Sequence, residues 1–431
     1  MYKTNYQIID KMDSKKLSEF LCKEGQLLLP LVELVTRTEI ALDEVIDITG
    51  RAAIEAVLTL SAQEVARAKH PGKKAGTIRW HGRQSTTVPL SDRKLRVDKP
   101  RLRRKGSGLG KEVEIPAYEA ILENACLGRR ILEILMMGVS TRNYQGVVPQ
   151  MAETVGISKS NVSREFIEAS AQSLKALCER RLDEQDIVIV YIDGIQYGQI
   201  HVVAALGVDT QGYKHVLGLR EGASENAEVV KDLLADLVER GLNPERRRLF
   251  VIDGSKALRA GVNHVFGSRT PVQRCRNHKA RNVLGYLPEE RKADVEAAMK
   301  AAFKLKADEG IRKLEKLAEW LDREHPSAAG SLREGLSEMF TINRLGLPRS
   351  LRRCLASTNV IESPYSGVRE KTGRVKRWRD GRMALRWTAS ALLSIEKRMR
   401  RIMGYQQLWM LDAALKELDE EERVVVKEKV A

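Results

Sequence analysis

Two periodicities divide the chain. One is a set of short, almost wholly apolar runs. From Ile187 to Ile192 every residue is apolar or aromatic, and the run ends on Asp193-Gly194. This predicts a buried strand that delivers an acid to a sheet edge, with the glycine turning the backbone sharply after it. The arrangement repeats at Leu249-Phe-Val-Ile-Asp253-Gly254-Ser255. Between the copies lie His201–Val208 and Tyr213–Leu219, joined by Asp209-Thr-Gln-Gly212, which predicts a hairpin and, with the first run, a three-strand meander. Ser224-Glu-Asn-Ala then opens an amphipathic helix, with apolar residues at 229, 230, 233, 234, 237 and 238.

The other periodicity is helical. Ser14 can cap a helix carrying Leu27, Leu28, Leu31, Leu34 and Val35, kinked or divided at Pro30, and a second helix runs from about Leu42 to Ala68. Residues 1–70 are expected to form a packing or oligomerisation region, or an ordinary helical subdomain. Residues 71–128 change character. Pro71-Gly72 opens a stretch of short β-like pieces, and Arg93–Lys105 alternates charge with Leu or Val for part of its length. Residues 129–184 read as three helical pieces. Ile131–Met137 ends at Gly138, Pro149 suits the first turn of a short helix, Gly156-Ile157 makes a tight turn, and Ser158 can cap a helix beginning Lys159-Ser-Asn-Val-Ser-Arg164. That is the layout of a helix-turn-helix, with Lys159 and Arg164 at the front of the recognition helix; plain three-helix packing is the alternative. Residues 284–350 read as helices rich in Ala, Lys, Glu and Leu, and Asp412–Glu428 as an acidic helix.

Charge narrows the partner. The 74 Lys and Arg against 58 Asp and Glu give a net charge of +16, which points to a polyanion, most often nucleic acid. Between Arg79 and Lys105 ten basic residues face two acids; Arg93, Lys94, Arg96, Arg101, Arg103 and Arg104 supply most of a cationic face for phosphates, with Trp80 and His81 interleaved. From Arg369 to Arg401 twelve basic residues face three acids, and Arg374, Lys376 and Arg377 lead into Trp378. Five dispersed cysteines form no paired framework, no apolar run approaches the roughly 18 residues of a membrane span, and the amino terminus lacks a signal pattern. The expectation is a cytoplasmic, nucleoid-associated protein.

The β-β-β-α-β order, with one acid on its first strand and another after its fourth, predicts a mixed α+β protein with a ribonuclease H-like core. First and fourth strands lie side by side in that layout, bringing Asp193 and Asp253 together, and two carboxylates so placed can share divalent metal. The later acid best placed to join them is Glu362, in Ser357-Thr-Asn-Val-Ile-Glu362, where Ser357 or Thr358 can cap a helix. Arg369 stands two turns along the same face. Cys275-Arg-Asn-His278 is a poor zinc half-site, because no second Cys/His pair stands at a suitable spacing.

Together, Asp193 in Tyr-Ile-Asp-Gly, Asp253 in Val-Ile-Asp-Gly-Ser-Lys-Ala-Leu, Cys275-Arg-Asn-His278, and Thr358-Asn-Val-Ile-Glu362 with Arg369 resemble the Mutator-type transposases of bacterial insertion sequences. The resemblance runs from about residue 130 to about residue 400 and is weaker upstream. It implies a DDE triad of Asp193, Asp253 and Glu362 binding two Mg2+, or Mn2+, with Asp193 common to both ions. It also implies a core split into 185–283 and 351–405 around an all-helical insertion at 284–350, with 406–431 as a tail. The activity implied is binding of terminal inverted repeats, metal-dependent hydrolysis of the DNA ends and joining of the 3′ hydroxyl to target DNA, by a homodimer or higher oligomer on double-stranded DNA. A structure-selective nuclease of the same fold and a non-catalytic DNA-binding regulator are the alternatives. Similarity to such enzymes suggests that Cys275 and His278 stand close to the active site, in a direct role or as a structural pair. It also suggests that Trp320 either stacks on a flipped base or packs between helices.

Overall fold

The computed structural model describes residues 42–67, 69, 76–89, 94–106, 112–123, 127–138, 154–155, 159–223 and 226–430. The Ser14–Val35 helix, Pro71-Gly72, Arg93, Ser158 and most of the segment leading into the recognition helix lie outside them. The described residues fall into two compact units, the first drawn from Met1–Leu135 and Val139–Phe166, the second from Met136–Gly138 and Ile167–Ala431.

In the first unit, helix α1 (Leu42–Ala66) lies on a sheet of β1 (Ile78–Pro89), β2 (Lys94–Arg104), β3 (Glu112–Val113) and β4 (Thr154–Val155). β1 pairs with β2 along one side, while β3 and β4 take opposite ends of the other side, all antiparallel. Leu95 and Val97, two residues apart on β2, share one face by alternation, and with Leu102 they join Leu58, Ala62 and Ala66 of α1 in one core. The short helix expected from Pro149 begins outside the described residues, and β4 pairs with Lys94 and Leu95. Two β-branched residues beside an open strand edge suit that ladder. Helices α2 (Pro116–Glu123) and α3 (Leu127–Met136) follow β3, and α4 (Lys159–Cys178) contributes residues to each unit.

The second unit is built on a five-stranded sheet of β5 (Ile187–Tyr197), β6 (Ile200–Asp209), β7 (Lys214–Glu221), β8 (Leu249–Ile252) and β9 (Val272–Arg274), in spatial order β7-β6-β5-β8-β9. The meander β5-β6-β7 is antiparallel, whereas β8 and β9 join parallel. Helix α5 (Ala227–Glu239), capped by Asn226, buries Val230, Leu233, Leu234 and Leu237. With α6 (Lys256–Phe266) it covers one sheet face, sealing Val190, Ile192, Val203, Phe250 and Ile252.

The structure corrects one local expectation here. Gly194 does not turn the chain: β5 continues to Tyr197, because β6 keeps pairing with it, Asp193 opposite Ala204 and Gly194 opposite Val203. Only β8 stops, at Ile252. Asp193 therefore sits within a strand at the point where its parallel neighbour ends.

After β9 come α7 (Arg276–Gly285), α8 (Glu289–Ala302), α9 (Ala307–Leu321), α10 (Pro326–Arg333) and α11 (Thr341–Arg344), with their own core around Val295, Met299, Leu314, Leu332 and Phe340. The buried Arg276 ties this subdomain to the sheet: its guanidinium donates to the Met339 carbonyl at 2.7 and 2.9 Å and to Asn343 at 2.6 Å, and lies over the Phe303 ring. Helix α12 (Arg349–Leu355) returns the chain to the sheet, and α13 (Asn359–Thr372), α14 (Gly381–Glu396) and α15 (Leu408–Val430) complete the unit. Among the described residues no helix is long and apolar enough to cross a membrane.

Candidate active site

Register places the first two acids. Ile192 pairs with Ile252 across the parallel β5–β8 ladder, so Asp193 and Asp253, each one residue farther on, come side by side where β8 ends. Backbone N–H groups fix both carboxylates: Gly194 donates to Asp193 at 2.9 Å and Ser255 to Asp253 at 2.7 Å. Ser255 also caps α6, its hydroxyl accepting from the Leu258 N–H.

Helix α13 brings the third acid. The Tyr365 hydroxyl, buried, donates to the carbonyl of Asp193 at 2.8 Å and pins the helix to β5. Glu362, three residues earlier on the same face, is thereby held close enough to Asp193 to act on its charge. The proximity registers in the Asp193 carboxyl, which burial, reinforced by the charges of Asp253 and Glu362, pushes up to about 7. Asp193, partly desolvated and within electrostatic reach of Asp253 and Glu362, offers with them the oxygen donors that hard divalent cations prefer.

Cys275 and His278 belong to this site. β9 carries Cys275 beside the end of β8, where its N–H donates to the Ile252 carbonyl at 2.8 Å, and the Arg276 N–H reaches the Ala356 carbonyl at 2.9 Å. The Cys275 sulfur caps α7, accepting from the His278 N–H at 3.5 Å, and also accepts from the Thr358 N–H at 3.4 Å, with the Thr358 hydroxyl oxygen at the same distance. Thr358 occupies the capping position of α13, but its hydroxyl makes no cap bond; it lies 2.5 Å from Glu362 Oε1, as a donor, and 3.4 Å from His278 Nδ1. His278 Nε2 stands 3.9 Å from the same Glu362 oxygen. Burial works to raise the Cys275 thiol, but the hydrogen bonds from His278 and Thr358 outweigh it and bring it down, while the bond to Cys275 raises His278. Neither Thr358 nor Tyr365 stood out in the sequence as more than a cap and a helical residue. Tyr365 could have been found from its spacing to Glu362.

The other residues singled out by sequence lie elsewhere. Arg369 is exposed on α13, close enough to the Tyr197 and Tyr365 hydroxyls to influence both. Arg374, Lys376 and Arg377 are exposed on the loop after α13. Trp378 turns inward, its ring 4.4 Å from that of Tyr197. Trp320 is 42% exposed, which excludes the packing-between-helices reading; Arg291 lies over its ring at 5.5 Å. In the first unit Arg96, Arg104, Lys159 and Arg164 are exposed, Lys94 pairs with Glu165 at 3.2 Å, and Arg101 and Arg103 share Glu112.

Residues 24–398 match the family described as Transposase, Mutator family. Among curated proteins, the transposase for insertion sequence element IS6120 of Mycolicibacterium smegmatis is 27% identical over 254 residues, 56% of this chain and 76% of its own length. The transposase for ISRM5 of Rhizobium meliloti is 27% identical over 260 residues, 56% of this chain and 61% of that protein. The transposase for IS1081 of Mycobacterium tuberculosis is 24% identical over 302 residues, 66% and 70% of the two chains. With that family spanning most of its length, around three acids joined by one strand register and one helix contact, the chain belongs to the Mutator family of transposases.

Proposed function

We propose that the chain is a DDE transposase that binds the terminal inverted repeats of an insertion sequence, hydrolyses the DNA at their ends and joins the freed 3′ hydroxyl to target DNA. The observation that carries this is the convergence of Asp193, Asp253 and Glu362 from β5, the end of β8 and α13. The strand order, three antiparallel strands extended by parallel β8 and β9, supports a ribonuclease H-like core interrupted by the helical subdomain of α8 to α11. Asp193, Asp253 and Glu362 would hold two Mg2+, or Mn2+, with Asp193, on the central strand β5, serving both. When bound, these ions supply Lewis-acid polarisation of the scissile phosphate and a lowered pKa for the attacking water or hydroxyl.

The chain's own residues set the geometry. Gly194 and Ser255 aim the aspartates, and Thr358 orients Glu362. Arg369, Arg374, Lys376 and Arg377 offer phosphate contacts beside the acids, and the exposed Trp320 offers a stacking face for an unpaired base. In the first unit, the basic face of β2 with Arg96 and Arg104, and Lys159 and Arg164 of α4, would grip the terminal repeat, with the α4 region acting as a helix-turn-helix. A homodimer or higher oligomer on double-stranded DNA brings two ends together.

The test is cleavage of end DNA in Mg2+ by wild-type protein and by Asp193→Asn. Wild type nicks at the element boundary, and the variant binds the same DNA without cutting it; retained cleavage by the variant sinks the assignment.

A further inference from the structure

Cys275, His278 and Glu362 each present a ligand atom, and those atoms all lie within 4.8 Å of one another. Donors around a tetrahedral zinc ion, at bond lengths of about 2.0–2.3 Å, stand about 3.3–3.8 Å apart, so a contraction of about 1 Å converts the cluster into a three-ligand site. The parts are held for it. Cys275 is fixed at the start of α7 by its bond to Ile252, His278 is one turn along the same helix, and Glu362 stands on the facing first turns of α13. Cys275 is 1% exposed, whereas the His278 and Glu362 side chains are 26% and 32% exposed, which leaves one side open for an ion and a fourth, solvent ligand. The sequence hid this site because its third donor lies 84 residues beyond His278.

We infer that Cys275, His278 and Glu362 form a binding site for a soft divalent cation of the zinc type, and that filling it takes Glu362 from the aspartates and holds the enzyme inactive. A thiolate and an imidazole select zinc-like ions over magnesium, whose preference is for oxygen donors. Binding releases the thiol proton to solvent and changes no oxidation state. Glu362 is the shared element: the Tyr365 contact holds its helix to β5 beside Asp193, and its carboxylate accepts from Thr358, whose hydroxyl also lies against Cys275 and His278. The binding claim stands by itself, and its inhibitory consequence rests on the proposed function.

The test titrates full-length, metal-stripped protein with Co2+, a coloured stand-in for Zn2+. A near-ultraviolet thiolate-to-cobalt band should saturate at one ion per chain, bleach on adding Zn2+ and persist in excess Mg2+. Cys275→Ser should abolish it, and Cys178→Ser and Cys354→Ser should keep it. Should Cys275→Ser fail to fold, His278→Gln decides: it should weaken Co2+ binding at least about tenfold, as loss of even a supporting partner does at metal sites. No band in wild type, or an undiminished band in folded Cys275→Ser or His278→Gln protein, overturns the site. Zn2+ at the level that saturates the site should stop Mg2+-dependent end cleavage, and unaffected cleavage overturns the switch. Asp253→Asn, which removes an oxygen donor from the aspartate side, should keep the cobalt band. A band that behaves as expected in a protein that never cleaves DNA therefore refutes the transposase mechanism and leaves the ion site standing, and Mg2+-dependent cleavage without a band does the reverse.

Discussion

Replacing Asp193 by Asn removes a charge and keeps the oxygen that accepts from the Gly194 N–H. In the metal-free protein this variant should be more stable than wild type at neutral pH. The Asp193 carboxyl is raised from 3.8 to about 7, burial being the largest cause, with Asp253 and Glu362 adding to it. At about 1.36 kcal/mol per pKa unit the full shift corresponds to roughly 4 kcal/mol; since Asp193 keeps some contact with solvent, about 2 kcal/mol is the working figure. The sign follows from proton binding. The folded state holds its proton more tightly than the unfolded chain, so the stability contribution is complete below pH 3.8 and is lost as pH rises through about 7. The assay is urea unfolding in chelator, followed by tryptophan fluorescence, since Trp320, Trp378, Trp387 and Trp409 all report on the second unit. Wild type and variant should match near pH 4 and diverge to about 2 kcal/mol at pH 8 in favour of the variant. Mg2+ should then stabilise wild type and leave Asp193→Asn unmoved. Equal stability at pH 8, or a difference independent of pH, would refute the reasoning.

Further outcomes follow from neighbouring contacts. Thr358→Val removes the donor to Glu362, and losing a charge-assisted hydrogen bond of about 1.5–3 kcal/mol should slow cleavage by roughly 10- to 100-fold at saturating DNA, with end affinity by gel shift unchanged. Neutralising Arg374, Lys376 and Arg377 together should lower the slope of log affinity against log salt by about 2 to 3, as expected for three lost phosphate contacts. Gly310→Ala places a methyl against the Phe340 ring and the Ala302 carbonyl, so unfolding should show a loss of about 1–3 kcal/mol, centred on the helical subdomain. Trp320→Ala should leave the melting profile nearly unchanged, since the ring is 42% exposed, yet weaken binding of DNA with an unpaired end base by about 1–3 kcal/mol.

Much of the second unit is legible in the sequence because buried strands and amphipathic helices impose different periods. The runs at 187 and 249 mark two adjacent strands, and the helix carrying Val230, Leu233, Leu234 and Leu237 shows its buried face by spacing alone. Asp193 was misplaced at a strand end because how far β5 runs is set by its register on β6, which no local pattern reveals. The link from Cys275 through Thr358 to Glu362 was out of reach for the same reason: it spans 83 residues and depends on where α7 and α13 come to rest. Trp320 was ambiguous because exposure at a helix end follows from packing, which composition does not record.

The central claim is that Asp193, Asp253 and Glu362 hold the ions that act on DNA. It is tested most directly by measuring end cleavage and strand joining with Asp253→Cys in Mg2+ and in Mn2+. A thiolate is a poor ligand for Mg2+, and Mn2+ tolerates it far better. The account predicts a protein that binds end DNA normally, is inactive in Mg2+ and recovers cleavage and joining in Mn2+. Full activity in Mg2+ would contradict it.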